Sequence, residues 1–227
     1  MSTDQESQVT LHQRMNAAPM PPATTMPAMV AAPAISLAVL MIAATGIAAG
    51  KWDAASVFRD PATQFGFPIY GGFVSALGFA GWIVAATAGG IGAALLPHLR
   101  RTLLAAFMLS MMLGIDDRFM LHEALLPRIG IPEEAVLLIY AVLCLCAMWP
   151  FRAELVRFRM PLLAIALLLF VLSLVVDDLT EYSSASALMT EDMAKFAGIV
   201  FWATHWCHFT ILAVRRRMAA AQRGGIE

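Results

Sequence analysis

Carboxylate and imidazole side chains that can bind a metal ion or a proton are concentrated in three short segments of the sequence. The segments contain Asp116, Asp117, Arg118, His122 and Glu123, then Asp177, Asp178 and Glu181, and finally Glu191, Asp192 and Lys195. Carboxylate oxygens and imidazole nitrogens are ligands for zinc, manganese or iron, and the same groups also exchange protons. The segments are therefore a candidate site for a divalent cation or for protons.

Helical spacing indicates which residues of the first segment share a face. Asp116 and Glu123 are seven residues apart and share one helix face. Arg118 and His122 are four residues apart and share another. In the third segment, Lys195 follows Glu191 by four residues and Asp192 by three, so it can pair with either acid within the helix.

The three segments carry more negative charge than they can neutralise. They hold eight acids and two cations, a sum of −6. Water, protons on carboxylates with a raised pKa, or a bound divalent cation such as zinc can absorb this excess. Asp116, Asp117 and Asp177 are expected to lie deepest and are taken as metal ligands together with His122 and Glu123. The expected charge partners are Arg118, Lys195, Glu191, Asp192 and Glu181. The alternative is a structural network in which Arg118 and Lys195 hold acids of neighbouring helices.

His205 and His208 form a second candidate group. They are three residues apart on one helix face, so both can face one metal ion or a haem. Counted from Lys195, His205 lies about 15 Å from the acidic segments along the helix axis. Hydrogen bonds to hydroxyls such as those of Thr204 or Tyr140 are favoured over metal or haem ligation.

The composition indicates that these residues are positioned by membrane-spanning helices. The chain has 227 residues, of which 60% are hydrophobic and 14% charged. A soluble domain has roughly 45–50% apolar and 25% charged residues, so a soluble enzyme is excluded. The net charge of −1 gives no support to a nucleic-acid-binding protein.

Six apolar runs predict an all-α bundle of six transmembrane helices. They cover residues 34–50, 69–97, 102–125, 133–149, 160–179 and 191–214, each close to the length that crosses about 30 Å of hydrocarbon. Residues 1–33, rich in proline, alanine and methionine, are expected to form a disordered cytoplasmic tail, and residues 215–227 a basic cytoplasmic tail.

The distribution of charge predicts the topology. Six helices put both termini on one side, which then holds ten basic and four acidic residues, against five and twelve elsewhere. The two sides therefore carry about +6 and −7, and the positive-inside rule makes the termini cytoplasmic.

The second run carries a stripe of mostly small residues at helical spacing. Its members are Gly71, Ser75, Gly78, Trp82, Ala85, Gly89 and Gly92. Small residues let helices approach closely in lipid, so the stripe is expected to be a central contact of the bundle. The same face is a candidate surface for a homo-oligomer or a larger membrane complex.

Two resemblances bear on function. The pattern Asp116-Asp117-x-Phe119-x-x-His122-Glu123, with the later Glu191-Asp192-x-x-Lys195, resembles an uncharacterised family of bacterial multi-pass membrane proteins. This resemblance covers most of residues 65–214 and implies a six-helix protein of the bacterial inner membrane. The second resemblance, to alkaline-ceramidase-like hydrolases that hold zinc with three histidines, an aspartate and a serine, rests on Ser110, Asp117, His122, His205 and His208. It is partial, because the late pair is His-x-x-His where that family has three intervening residues.

Three functional hypotheses follow. The first is binding of a divalent cation or protons by the acidic and histidine cluster at the outer ends of helices three, five and six. The second is an accessory or scaffold subunit of a larger membrane complex, in which the charges form ion pairs. The third is an intramembrane zinc-dependent lipid hydrolase, although no nucleotide-binding glycine loop, Gly-x-Ser-x-Gly or His-Glu-x-x-His motif is present.

Overall fold

The computed structural model describes residues 26–58, 64–68, 70–153, 161–180 and 185–224, and these residues form helices and turns without a strand. The long helices are α1 (Met26–Ala48), α2 (Phe73–Leu95), α3 (Arg100–Phe119), α4 (Glu133–Met148), α5 (Pro161–Thr180) and α6 (Ala185–Gly224). Short turns of helix lie at Ala54–Phe58, Pro97–Leu99, Leu121–Leu125, Leu126–Arg128 and Trp149–Phe151. The predicted all-α fold is therefore confirmed.

Each long helix coincides with one of the six predicted apolar runs, but the boundaries differ at both ends of the chain. The helix α1 begins at Met26, ahead of the predicted start at residue 34. The helix α6 continues to Gly224, well past residue 214, because Arg215 and the residues after it favour helix as strongly as the apolar part does. Residues 1–25 of the predicted tail lie outside the described residues.

Three of the helices are long and apolar enough to cross a membrane. They cover Phe73–Leu95, Glu133–Phe151 and Met189–Gln222 in the described part of the chain. Shorter apolar helices lie at Ser36–Ala48 and Pro161–Asp177. The helix α3 is not in this group because charged residues such as Arg100, Arg101 and Asp117 lie at its two ends. The protein is thus a helical membrane protein with three candidate spans.

The chain divides into two compact units, Met1–Gly71 and Gly72–Glu227. The first contains α1 and the short helix Ala54–Phe58, whose N-terminus is capped by the Asp53 carboxylate, which accepts a hydrogen bond from Ser56 N at 2.9 Å. The second contains α2 to α6. All of the described residues proposed for the site belong to this second unit.

In the second unit, α6 runs parallel to α2 and antiparallel to α3. Ile199 of α6 lies against Gly78 of α2, and farther along the Thr210 hydroxyl donates to the Ala88 carbonyl at 3.2 Å. The indole Nε1 of Trp202 donates to Ser110 Oγ of α3 at 2.9 Å. The helix α5 packs along α6, where Phe170 lies 6.4 Å from Trp202 between ring centroids. The start of α6 therefore lies beside the end of α3.

The small-residue stripe of α2 forms the contact with α3 and α6. A Cβ atom added at Gly89 would lie 2.9 Å from both the Leu103 carbonyl oxygen and the Phe107 nitrogen, which belong to the backbone of α3. One added at Gly92 would lie 3.0 Å from Thr210 Oγ1 of α6. The part of the stripe from Gly78 to Gly92 is thus packed within the chain, where it sets the distance between helix backbones, whereas Gly71 and Ser75 are exposed.

The substitution Gly89→Ala is expected to force α2 and α3 apart, because its Cβ meets backbone atoms that cannot rotate away. We expect a loss of about 1–3 kcal/mol in unfolding free energy, measured by denaturant titration of the protein in detergent micelles. The neighbouring Gly90→Ala is the control, since its Cβ would lie 3.5 Å from the Phe107 ring, an ordinary contact. Equal stability of the two variants would contradict the close approach at Gly89.

Candidate functional site

The end of α3 is built differently from the continuous helix that the sequence spacing predicts. The helix stops at Phe119, and Met120 adopts the left-handed conformation, with φ 47°. A π-helical turn follows at Leu121–Leu125. A left-handed non-glycine residue is uncommon and has to be stabilised by its surroundings. The break changes the register, so His122 is brought to Asp116 instead of sharing a face with Arg118.

The Asp116 carboxylate is the central acceptor of the site. It is 4% exposed. Its Oδ2 is hydrogen-bonded to Nδ1 of His122, and its Oδ1 accepts a hydrogen bond from the backbone N–H of His122 at 3.0 Å. The Tyr140 hydroxyl, from α4, donates to the same Oδ1 at 2.9 Å. A buried carboxylate is stable only when hydrogen bonds replace its water, and these three donors supply them.

The opposite ring nitrogen of His122 faces two further carboxylates. Its Nε2 lies 3.4 Å from Glu123 Oε1 and 4.0 Å from Glu133 Oε1. Burial lowers the pKa of His122, but the hydrogen bond and the charge of Asp116, together with the charge of Glu123, raise that pKa by more, so that the net shift is upward. The cluster therefore favours the protonated imidazole more than water does.

Lys195 of α6 joins the end of α3 to the start of α6. Its Nζ lies 2.8 Å from Asp117 Oδ1 and 3.7 Å from Glu123 Oε1. Among the described residues, Lys195 forms its ion pairs with the end of α3, while Glu191, one turn earlier in α6, attracts it through its charge. Glu123 thus lies between the two cations of the site, His122 and Lys195.

A cavity of about 210 Å³ opens beside this ion pair. Its polar lining includes Ser75, Asp117, Glu123, Glu191, Asp192 and Lys195. The volume corresponds to several water molecules at roughly 30 Å³ each. The exposed Glu123 lines this cavity and also contacts the buried His122, so the cavity and the buried pair share one carboxylate.

The remaining predicted site residues form no hydrogen bond or ion pair with this cluster among the described residues. Asp177, half-buried at the end of α5, is close enough to Glu133 and Glu191 for their charges to interact. Arg118 is exposed and forms no ion pair with the described acids, so the predicted role of charge partner is met by Lys195 and not by Arg118. Glu181 lies outside the described residues.

The second candidate pair does not form a ligand pair. His205 is 1% exposed, whereas His208 is exposed, so the two side chains do not face one point. The predicted hydrogen bonds to hydroxyls are also wrong. The Thr204 hydroxyl donates to Val200 O and that of Tyr140 to Asp116, and His205 Nε2 has no described partner. The aromatic rings of Trp206 and Phe209 surround His205 instead.

No group of three or more His, Cys, Asp or Glu side chains in the described residues is arranged to hold a metal ion. Geometry explains this for the main cluster, since Asp116 and Glu123 lie at opposite ring nitrogens of His122 and do not converge on a common centre. The predicted metal set is therefore not supported. The zinc-hydrolase set is likewise not assembled, because Ser110 is bonded to Trp202 and Asp117 to Lys195.

Two side chains of the site were not assigned to the acidic cluster from the sequence. Tyr140 and Glu133 lie on α4, in a run whose apolar character indicated only a membrane span. The signal for Glu133 was its position after Pro132, at the start of a helix that has to return along α3. For Tyr140, the signal was a lone hydroxyl in an apolar helix, which needs a polar partner on a neighbouring helix.

The fold and the site together define a helical membrane protein with a buried carboxylate–imidazole pair at one end. The chain belongs to the family Domain of unknown function (DUF8692), whose family model matches residues 31–209. That range includes every residue of the cluster described above. No curated protein and no solved structure matches the chain.

The substitution Tyr140→Phe is expected to lower the unfolding free energy by about 1 kcal/mol, since it removes one hydrogen bond to a buried carboxylate and leaves the ring in place. The matched control is Tyr70→Phe, because Tyr70 is 75% exposed and its loss of a hydroxyl should be neutral. Denaturant titration of both variants in the same detergent measures the difference. A neutral Tyr140→Phe would contradict the role of this hydroxyl.

Proposed function

We propose that the protein takes up and releases a proton at the cluster formed by Asp116, His122, Tyr140, Glu123 and Lys195. The observation that supports this most directly is the position of the His122 ring between carboxylates at both of its nitrogens. The divalent-cation form of the hypothesis has no comparable support among the described residues. The proton is thus the ion that fits the geometry.

The chemistry of the imidazole ring explains why the cluster exchanges a proton. With Nδ1 bonded to Asp116, a neutral His122 turns the lone pair of Nε2 toward Glu123 and Glu133, which is repulsive. Protonation of Nε2 replaces this repulsion by attraction. A proton that leaves His122 has an acceptor at 3.4 Å in Glu123, so it can move without crossing apolar space.

Glu123 supplies the route between the buried pair and solvent. It contacts His122 on one side and Lys195 on the other, and it lines the cavity. The ammonium of Lys195 lies 3.7 Å from Glu123 Oε1, so Glu123 stands between His122 and the cavity. Asp117 holds Lys195 in this position.

The location proposed for this site is the outer end of a six-span bundle in the bacterial inner membrane, with both termini in the cytoplasm. The excess of basic residues on the side of the termini supports this orientation through the positive-inside rule. The length of α3, 20 residues, also supports its crossing, because at about 1.5 Å per residue it spans about 30 Å.

A second candidate function is an accessory subunit of a larger membrane complex, and the surface of α4 favours it. Only 6% of the span Glu133–Phe151 is buried within the described residues. That apolar surface is available to lipid or to a helix of another subunit. In this alternative, the ion pairs of Lys195 and His122 are structural and their protons do not exchange near neutral pH.

We expect the pKa of His122 to lie above the ordinary value of about 6.5, and Glu123→Gln to lower it, because one of the flanking charges is removed. The measurement is an NMR pH titration of the solubilised protein with ¹⁵N-labelled histidine, in which His122→Gln identifies the signal. The raised pKa of His122 belongs to the folded state. The Asp116–His122 pair therefore stabilises the fold fully below pH about 6.5, and this contribution to the unfolding free energy is lost as the pH rises through the folded-state pKa.

The control for this titration is Glu134→Gln, which removes the same charge from an exposed neighbour of Glu133 that makes no described contact with His122. It should leave the pKa of His122 unchanged. A pKa at or below 6.5 would contradict the raised pKa. A His122 signal that does not titrate near neutral pH, or a pKa that is insensitive to Glu123→Gln, would contradict proton exchange and would favour the accessory-subunit alternative.

A further inference from the structure

The end of the second unit opposite the acidic cluster carries a basic surface, formed by His98, Arg100, Arg101, Arg152, Arg215 and Arg217. His98, Arg100 and Arg101 lie at the connection between α2 and α3, where all three are exposed. Between Arg100 and Arg118, at the two ends of α3, the helix rises by about 27 Å. The basic surface is therefore remote from the Lys195 ion pairs.

One contact shows that two separate parts of the chain contribute to this surface. The guanidinium of Arg217, near the end of α6, donates to the carbonyl oxygen of Leu95 at the end of α2. Arg215 is exposed two residues before it. The arginines of α6 thus lie beside those of the α2–α3 connection, because Arg217 is level with the end of α2.

The helix α4 adds an aromatic and basic pair at the same end. It starts at Glu133 beside His122 and runs back along α3, so its last turn lies toward the start of α3. There the Arg152 guanidinium lies 4.7 Å from the centre of the Trp149 ring, which is 65% exposed. Tryptophan is enriched at the level of lipid headgroups, which places Arg152 within reach of them.

The arginines at the α2–α3 connection and in the last part of α6 have no acidic neighbour along the chain. Residues 95–101 and 214–222 contain no aspartate or glutamate, whereas Glu154 follows Arg152. Among the described residues, the ion pairs are those of His122 and Lys195 at the opposite end. Within the described part of the chain, the positive charge of the basic surface is thus available to an anionic ligand.

We propose that this surface binds the phosphate groups of anionic phospholipids in the leaflet around it. Guanidinium groups bind phosphate through paired hydrogen bonds, and basic residues next to a membrane span gain about fivefold in affinity each from an anionic surface. The Trp149 ring fixes the depth at which these groups meet the headgroups. The ligand is the phosphodiester of a lipid and not free phosphate, because the surface adjoins three membrane-spanning segments.

The test is native mass spectrometry of the full-length protein, titrated in detergent with phosphatidylglycerol or phosphatidylcholine. The expected result is tighter binding of phosphatidylglycerol to the unmutated protein, and about 30-fold weaker binding to the double variant Arg100→Gln, Arg101→Gln. The double variant Arg118→Gln, Arg128→Gln removes the same charge from the opposite end and should bind as the unmutated protein does. Both pairs are exposed, and equal thermal unfolding temperatures of the two variants would show that folding is preserved.

Three outcomes would overturn the proposal. The first is equal affinity for the two lipids, and the second is an equal loss of binding in both double variants. The third is displacement of the lipid by inorganic phosphate at the same concentration, which would show a site for the free anion. Retention of phosphatidylglycerol binding by Arg100→Lys, Arg101→Lys would support an interaction of charge with the headgroup.

Discussion

The burial of the Asp116 carboxylate is the constraint on which the acidic end of the protein depends. A carboxylate removed from water has to regain its hydrogen bonds from the protein, and Asp116 does so from the His122 backbone and side chain and from Tyr140. Two of these donors require a break in α3 and the third requires α4 to pack beside it. The left-handed residue, the π-helical turn and the return of α4 therefore all belong to one arrangement.

The same arrangement connects structure with the proposed activity. Because Nδ1 of His122 is committed to Asp116, only Nε2 can exchange a proton, and it faces Glu123 and Glu133. Lys195 then links Glu123 to Asp117 across helices, beside a cavity. At the site itself, Gly78 of α2 allows a close approach to Ile199 of α6, and a Cβ there would lie 3.9 Å from Asp117 Oδ2, so α2 packs directly beside the Asp117–Lys195 ion pair.

Much of the fold was predictable because hydrophobic runs and small-residue stripes report directly on burial in lipid. The six helices and the contact along Gly78, Gly89 and Gly92 follow from those patterns. The site was predictable in composition but not in geometry. Spacing rules assume a continuous helix through residue 123, whereas Met120 breaks it, so the Asp116–His122 bond could not be derived. The hydrogen bond of Tyr140 to Asp116 depends on how α4 packs beside α3, which the local sequence does not encode.

The central claim, that Asp116 holds Tyr140 and the π-helical turn together, is tested most directly by a double-mutant cycle. The unfolding free energies of Asp116→Ala, Tyr140→Phe and the double variant are compared with that of the unmutated protein in the same detergent. The account predicts a coupling energy of about 0.5–3 kcal/mol between the two positions, because the hydroxyl donates to the carboxylate at 2.9 Å. Strict additivity of the two substitutions would contradict it.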